Sequence, residues 1–105
     1  PYGAQERAIL GGPAFDAALA AIRRWPGYAP TPLHDLRGLA AKLDVRTICY
    51  KDEGERFGLK SFKALGGAYA VSRLASSPSP HALTVTCATD GNHGRSVAWG
   101  AQRAG

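Results

Sequence analysis

The stretch of this chain with the most chemistry in it is TDGNHGRS at positions 89–96, directly after the apolar run ALTVTCA. Gly91 and Gly94 permit a tight turn with close backbone approach, and Asn92 or His93 is placed to open a helix whose free N–H groups favour an anion. A carboxylate or phosphate suits such a place, with the helix dipole adding roughly 0.3–1 kcal/mol. Asp90 stands out there, because a carboxylate beside an anion site repels the ligand unless it has a chemical task. A plain helix cap is the other account of it. His93 likewise has the simpler option of a backbone hydrogen bond at a solvent-facing helix start.

A second candidate lies upstream. Between Lys60 and Arg73 the one charge is Lys63, among Phe62, Ala64, Leu65, Gly66, Gly67, Ala68, Ala70 and Val71. A helix apolar nearly all round is expected to be buried. Burial disfavours the ammonium form and lowers the pKa, which makes lysine an amine nucleophile. Gly66 and Gly67 sit at i+3 and i+4, so the surface beside that amine is bare, although each glycine costs ~1 kcal/mol relative to alanine in a helix. Bare surface next to a reactive amine suits a bulky flat partner. The alternative is that Lys63 reaches solvent from near the helix start while the glycines permit close helix–strand packing. No metal centre is expected, since three His and two Cys show no ligand spacing.

The elements that must carry these groups follow from periodicity. Phe15, Leu19 and Ile22 have helical spacing after Pro13, and RRWPG closes that helix. PGYAPTPL, with three prolines in eight residues, is an extended connection. HDLRGLAAKL reads as a second helix, with Leu36, Leu39 and Leu43 inward; residues 1–12 show no period. VRTICYK then reads as a strand, SFKALGGAYAVSRLA as a helix, ALTVTCA as a strand and NHGRSVAWGAQRAG as a helix. This β-α-β-α order predicts the α/β class, with a parallel sheet wrapped by helices. In such sheets ligands bind beyond the carboxyl ends of strands, where both polar clusters, KDEGERFG and TDGNHG, are placed. SSPSPH is read as a chemically silent surface turn.

Composition narrows the function classes. With 105 residues, 45% of them apolar, the chain is expected to build one packed unit. Thirteen Lys and Arg against eight acids give a formal charge of +5, scattered without a basic stripe, so neither a nucleic-acid partner nor a membrane surface is expected. No apolar stretch approaches the ~20 residues of a membrane helix. Cys49 and Cys87 both fall in runs read as buried strands, which predicts reduced core thiols and, with them, an intracellular setting. A chain opening on Pro1 with no Met reads as a fragment or a trimmed chain, and its end at Gly105 as a sheet cut short.

YKDEGERFGLKSFKALGGAYAV followed by TCATDGNHGRSVAWGAQRAG resembles the pyridoxal-phosphate enzymes of fold type II, which include threonine and serine dehydratases, cysteine synthase and tryptophan synthase β. The resemblance runs from about YAPTPLHDL to the end. Within that group it is strongest to the diaminopropionate ammonia-lyases, since RFGLKSFKALGGAYA and TDGNHGRSVAW look like that family's versions; dehydratases usually show Ser or Ala-Gly where this chain has Asp90-Gly91. It implies residues 1–44 as an N-terminal helical segment and 45–105 as the start of the α/β core of one catalytic unit.

The resemblance also implies roles. Lys63 would hold pyridoxal 5'-phosphate as a Schiff base, Asn92 would hydrogen-bond the cofactor's ring oxygen, and Thr89, Asp90, Gly91 and His93 would receive the substrate carboxylate. The implied reaction is an α,β-elimination of D- and L-2,3-diaminopropionate to pyruvate and ammonia, with Lys63 as base on one face and Asp90 on the other. A cytoplasmic homodimer acting on a small amino acid is implied with it. The glycine-rich loop for the cofactor phosphate and the group facing the pyridine nitrogen lie later in such enzymes. Departures are the short link ASSPSPHA and Lys60, where the family usually has an uncharged residue. A threonine or serine dehydratase is the rival within the fold; a non-catalytic relative that binds small anions is the rival outside catalysis.

Overall fold

A computed structural model describes residues 3–78, 82–89 and 91–105. Two short helices open the chain, α1 (Ala4–Leu10) and α2 (Gly12–Arg23). The first was not visible as a periodic pattern. It starts where the Glu6 carboxylate folds back to accept the Gly3 N–H at 2.8 Å, a local contact that occupies a backbone donor otherwise left open at a helix start. Pro13 sits in the first turn of α2, as its fixed φ favours. The apolar side of α2 buries nothing completely, and Phe15 remains 63% exposed.

The sheet differs from the expected parallel one. Strand β1 (Leu33–Asp35) pairs with β2 (Cys49–Lys51) antiparallel, Leu33 opposite Lys51 and Asp35 opposite Cys49. The intervening helix α3 spans Arg37–Lys42, so His34 and Asp35, expected to begin that helix, belong to β1 instead. A short helix that returns the chain through Asp44, at φ 50°, lets two neighbouring segments meet head to tail. Leu36 N–H to Ile48 O at 2.9 Å and Asp52 N–H to Pro32 O at 3.0 Å continue the pairing at both ends.

The expected second strand, ALTVTCA, enters no ladder among the described residues; 82–89 run without regular hydrogen bonding. A strand exists by pairing, and neither β1 nor β2 pairs with this segment. Both cysteines are free and exposed, which corrects their expected burial: Cys49 lies on a two-stranded ribbon with both faces open, and Cys87 on the unpaired segment.

The centre of the molecule is a helix pair. Helix α4 (Lys63–Ala75) crosses α5 (Asn92–Ala104) through small residues. Ala64, Gly67, Ala68 and Val71 are the buried positions of α4, and Ser96 and Gly100 those of α5. A methyl group at Gly100 would lie 2.8 Å from the Ala68 Cα, so the two backbones approach more closely than any larger side chain allows. Around this pair an aromatic cluster ties the rest together. Phe57 and Trp99 stack at 4.9 Å, Trp25 meets Trp99 edge-on at 5.6 Å, and the Arg103 guanidinium lies 5.0 Å from the Trp99 ring centre.

Candidate active site

The loop KDEGERFG precedes α4 and decides how Lys63 is presented. The loop was expected at a ligand site, yet two of its charges, Glu53 and Arg56, are engaged with each other. Arg56 is buried and donates from Nε to Glu53 Oε2 at 2.7 Å, from Nη2 to Glu53 Oε1 at 2.9 Å and to Thr31 Oγ1 at 3.1 Å, and from Nη1 to the Ala29 carbonyl at 2.7 Å. The Thr31 hydroxyl also donates to Glu53. Hydrogen bonds from Arg56 hold the Glu53 carboxyl down at about 2, against the opposing effect of its burial. Arg56 itself is raised, first by its bonds to Glu53. The knot therefore fastens the proline-rich connection to the loop before α4. Its signal in the sequence was an Arg three residues after a Glu, which does not distinguish a surface pair from a buried one.

Between the knot and α4 the backbone is left-handed at Phe57 (φ 52°), Gly58 (φ 69°) and Lys60 (φ 55°). For a non-glycine residue this conformation costs on the order of 1 kcal/mol or more, and the packing of the Phe57 ring, stacked on Trp99 and tilted against Trp25, holds it in place. The reversal leads to Ser61, which is buried and whose hydroxyl accepts the Lys63 N–H at 3.2 Å.

Lys63 is the first residue of α4 and is exposed. This corrects the expected burial: α5 covers the face of α4 that carries Ala64, Gly67, Ala68 and Val71 and reaches the Lys63 carbonyl, and the Lys63 side chain lies off that face. The dry environment expected around the amine is not provided by the described residues. The bare surface beside it is present, but from one glycine rather than two. A methyl group at Gly66 would meet nothing within 4 Å, whereas at Gly67 it would be 3.0 Å from the Ser96 Cβ. Gly66 thus leaves open space, and Gly67 admits α5.

A cavity of about 490 Å³ lies over this surface. Phe62 and Leu65 form apolar wall, Gly66 and Gly67 the floor, and Lys63 and His93 the polar groups. His93, the second residue of α5, reaches across to Gly67, its Nδ1 3.6 Å from where a methyl group there would stand. The α4–α5 crossing therefore brings Lys63 and His93 to one place, while KDEGERFG, the other polar cluster of the sequence, contributes no residue to the cavity. Asn92 opens α5 and is exposed, and does not line the cavity. Thr89 is exposed and its hydroxyl accepts the Gly91 N–H at 3.3 Å. Gly91 is the residue before the helix. Gly94 is required by close approach, since a methyl group there would fall 2.6 Å from the Thr89 Cγ2. Asp90 lies outside the described residues. Among the described residues no group of His, Cys, Asp and Glu could hold a metal ion, and no helix is long and apolar enough to cross a membrane.

An exposed amine at a helix start, beside an open floor with apolar walls, is a surface on which a flat aldehyde could lie. The family model of the pyridoxal-phosphate dependent enzymes matches residues 24–105. The chain belongs to that family. Its cofactor is accordingly pyridoxal phosphate, and Lys63 with the Gly66 surface fits a flat aldehyde in that the amine is free and the floor unobstructed. The chain is 38% identical over 117 residues to a diaminopropionate ammonia-lyase of Salmonella typhimurium, covering 92% of this chain and 29% of that protein. It is 43% identical over 95 residues to the diaminopropionate ammonia-lyase of Escherichia coli K12, covering 75% of this chain and 24% of the relative. The chain thus spans less than a third of the length of these relatives.

Proposed function

We propose that this chain forms part of a pyridoxal-phosphate-dependent ammonia-lyase that converts 2,3-diaminopropionate, in both D and L forms, with water to pyruvate and two ammonia. The observation that carries the reading is the cavity shared by Lys63 and His93 over the bare Gly66 surface. The choice of substrate is supported by similarity to proteins named diaminopropionate ammonia-lyase over most of this chain.

When bound, pyridoxal phosphate supplies an aldehyde for the amine and a ring that accepts the electron pair left at the substrate α-carbon. The chain's residues then have separate tasks. Lys63 would hold the cofactor covalently and, once the substrate amine has displaced it, its freed amine would take the α-proton on one face; Asp90 would take it on the opposite face for the other stereoisomer. Asn92 would hydrogen-bond the cofactor ring oxygen. Thr89, Asp90, Gly91 and His93 would receive the substrate carboxylate, with the start of α5 favouring its negative charge. Water must be excluded over Lys63 by parts of the enzyme other than the described residues, since here the amine is open. The cytoplasmic homodimer implied by the resemblance belongs to the same reading.

The test is borohydride reduction of the full-length holoenzyme followed by peptide mass analysis. The cofactor is expected on Lys63, and Lys63→Ala should lose both the label and at least about a hundredfold in turnover. A label on another lysine, or turnover of serine or threonine in preference to diaminopropionate, ends the proposal.

A further inference from the structure

Three other serines with hydroxyl contacts in and just after α4 bond locally. Ser72 Oγ donates to the Tyr69 carbonyl at 2.8 Å, Ser76 Oγ to the Ser72 carbonyl at 2.8 Å and Ser77 Oγ to the Arg73 carbonyl at 3.2 Å, the usual outlet for a helical hydroxyl. Ser96 does otherwise. It is 1% exposed, and its Oγ donates at 2.6 Å to the carbonyl of Lys63, 33 residues earlier on the facing helix. Its Cβ stands against Gly67, where a methyl group would lie 3.0 Å away. On α5 it follows Asn92 by four positions and His93 by three, so it is their neighbour one turn along the same helix face. One buried hydroxyl therefore links the backbone of the residue carrying the amine to the turn carrying Asn92 and His93.

We propose that Ser96 is a positioning residue: it fixes the register of the α5 start against Lys63, so that the carboxylate-receiving turn and the covalently held cofactor face one substrate at the right separation. The inference rests on the proposed role of Lys63. The hydroxyl touches neither cofactor nor substrate. Its loss should leave the amine free to hold the cofactor while displacing the turn that binds the substrate carboxylate.

Ser96→Ala keeps the Cβ against Gly67 and removes only the donor. In the full-length holoenzyme, borohydride labelling at Lys63 and cofactor affinity should stay within about twofold of the unsubstituted protein. KM for diaminopropionate should rise about tenfold while kcat falls no more than about threefold. A wild-type KM overturns the proposal. So does a fall in Lys63 labelling and thermal stability without a KM change, which would mean that Ser96 only holds the helices together. Should the alanine variant fail to fold, Ser96→Cys carries the test, with its weaker donor raising KM about threefold and a wild-type KM again decisive against the idea. Absence of label on Lys63 in the unsubstituted enzyme would instead remove the functional reading itself, so the two failures are distinguishable.

Discussion

A methyl group added at Gly66 and one added at Gly67 should act in opposite directions. Gly66→Ala meets open space, so it gains helix propensity, up to ~1 kcal/mol, and raises the unfolding temperature. It also puts a side chain on the floor beside Lys63, and cofactor affinity, measured by absorbance titration, should fall roughly tenfold if the ring lies there. Gly67→Ala pushes against the Ser96 Cβ and should cost about 1–3 kcal/mol of stability by overpacking. Asp90 belongs to the same scale. Asp90→Asn should abolish turnover of D-diaminopropionate and spare the L-isomer, as steady-state assays with each would show; equal loss of both would mean that Asp90 is not the base for the D-isomer.

At the scale of elements, the knot of Arg56, Glu53 and Thr31 joins the proline-rich connection to the loop that delivers α4. Glu53 is lowered from 4.5 to about 2, so its contribution is present above its unfolded pKa and fades as pH falls from about 4.5 toward about 2. Urea unfolding of the full-length protein across that range should show the stability gap between the unsubstituted protein and Glu53→Gln constant above about pH 5.5 and shrinking below about pH 4.5. Arg56, raised by its bonds to Glu53, stays charged across that window, so the change belongs to the Glu53 carboxylate. The α4–α5 crossing is the other joint. Gly100→Ala drives a methyl group into the Ala68 backbone and should lower stability by about 1–3 kcal/mol and separate Lys63 from His93.

Taken whole, the 105-residue chain is extended. Its radius of gyration is 17.4 Å, against about 13 Å for a compact chain of this length. It exposes 8011 Å², against roughly 5600 Å² for a folded monomer of its mass. Among the described residues the buried apolar side chains are Ala40, Ala64, Ala68 and Val71, three of them alanines. So little apolar burial cannot offset the entropy of ordering the chain. The 105-residue polypeptide in isolation should therefore unfold without a sharp transition in urea, with circular dichroism decaying gradually. A steep two-state curve would contradict this.

Local pattern carried the helices α2, α4 and α5, because helical spacing of apolar residues and the Pro and Gly signals at their ends act within a few positions of each other. It also carried the family, through SFKALGGAYA and TDGNHGRSVAW, and with it the expectation that Lys63 and His93 share a site. Burial was not legible, because it depends on what covers a face: Lys63, Cys49 and Cys87 were expected inside and are exposed. The strand at 82–88 failed for a related reason, since a strand is made by its partner, and the sequence does not say where in the chain that partner lies. Gly66 and Gly67 are adjacent letters about 100° apart around a helix. Only the direction from which α5 approaches packs Gly67 against Ser96 and leaves the space over Gly66 open, and only that crossing joins the Ser96 hydroxyl to the carbonyl of Lys63.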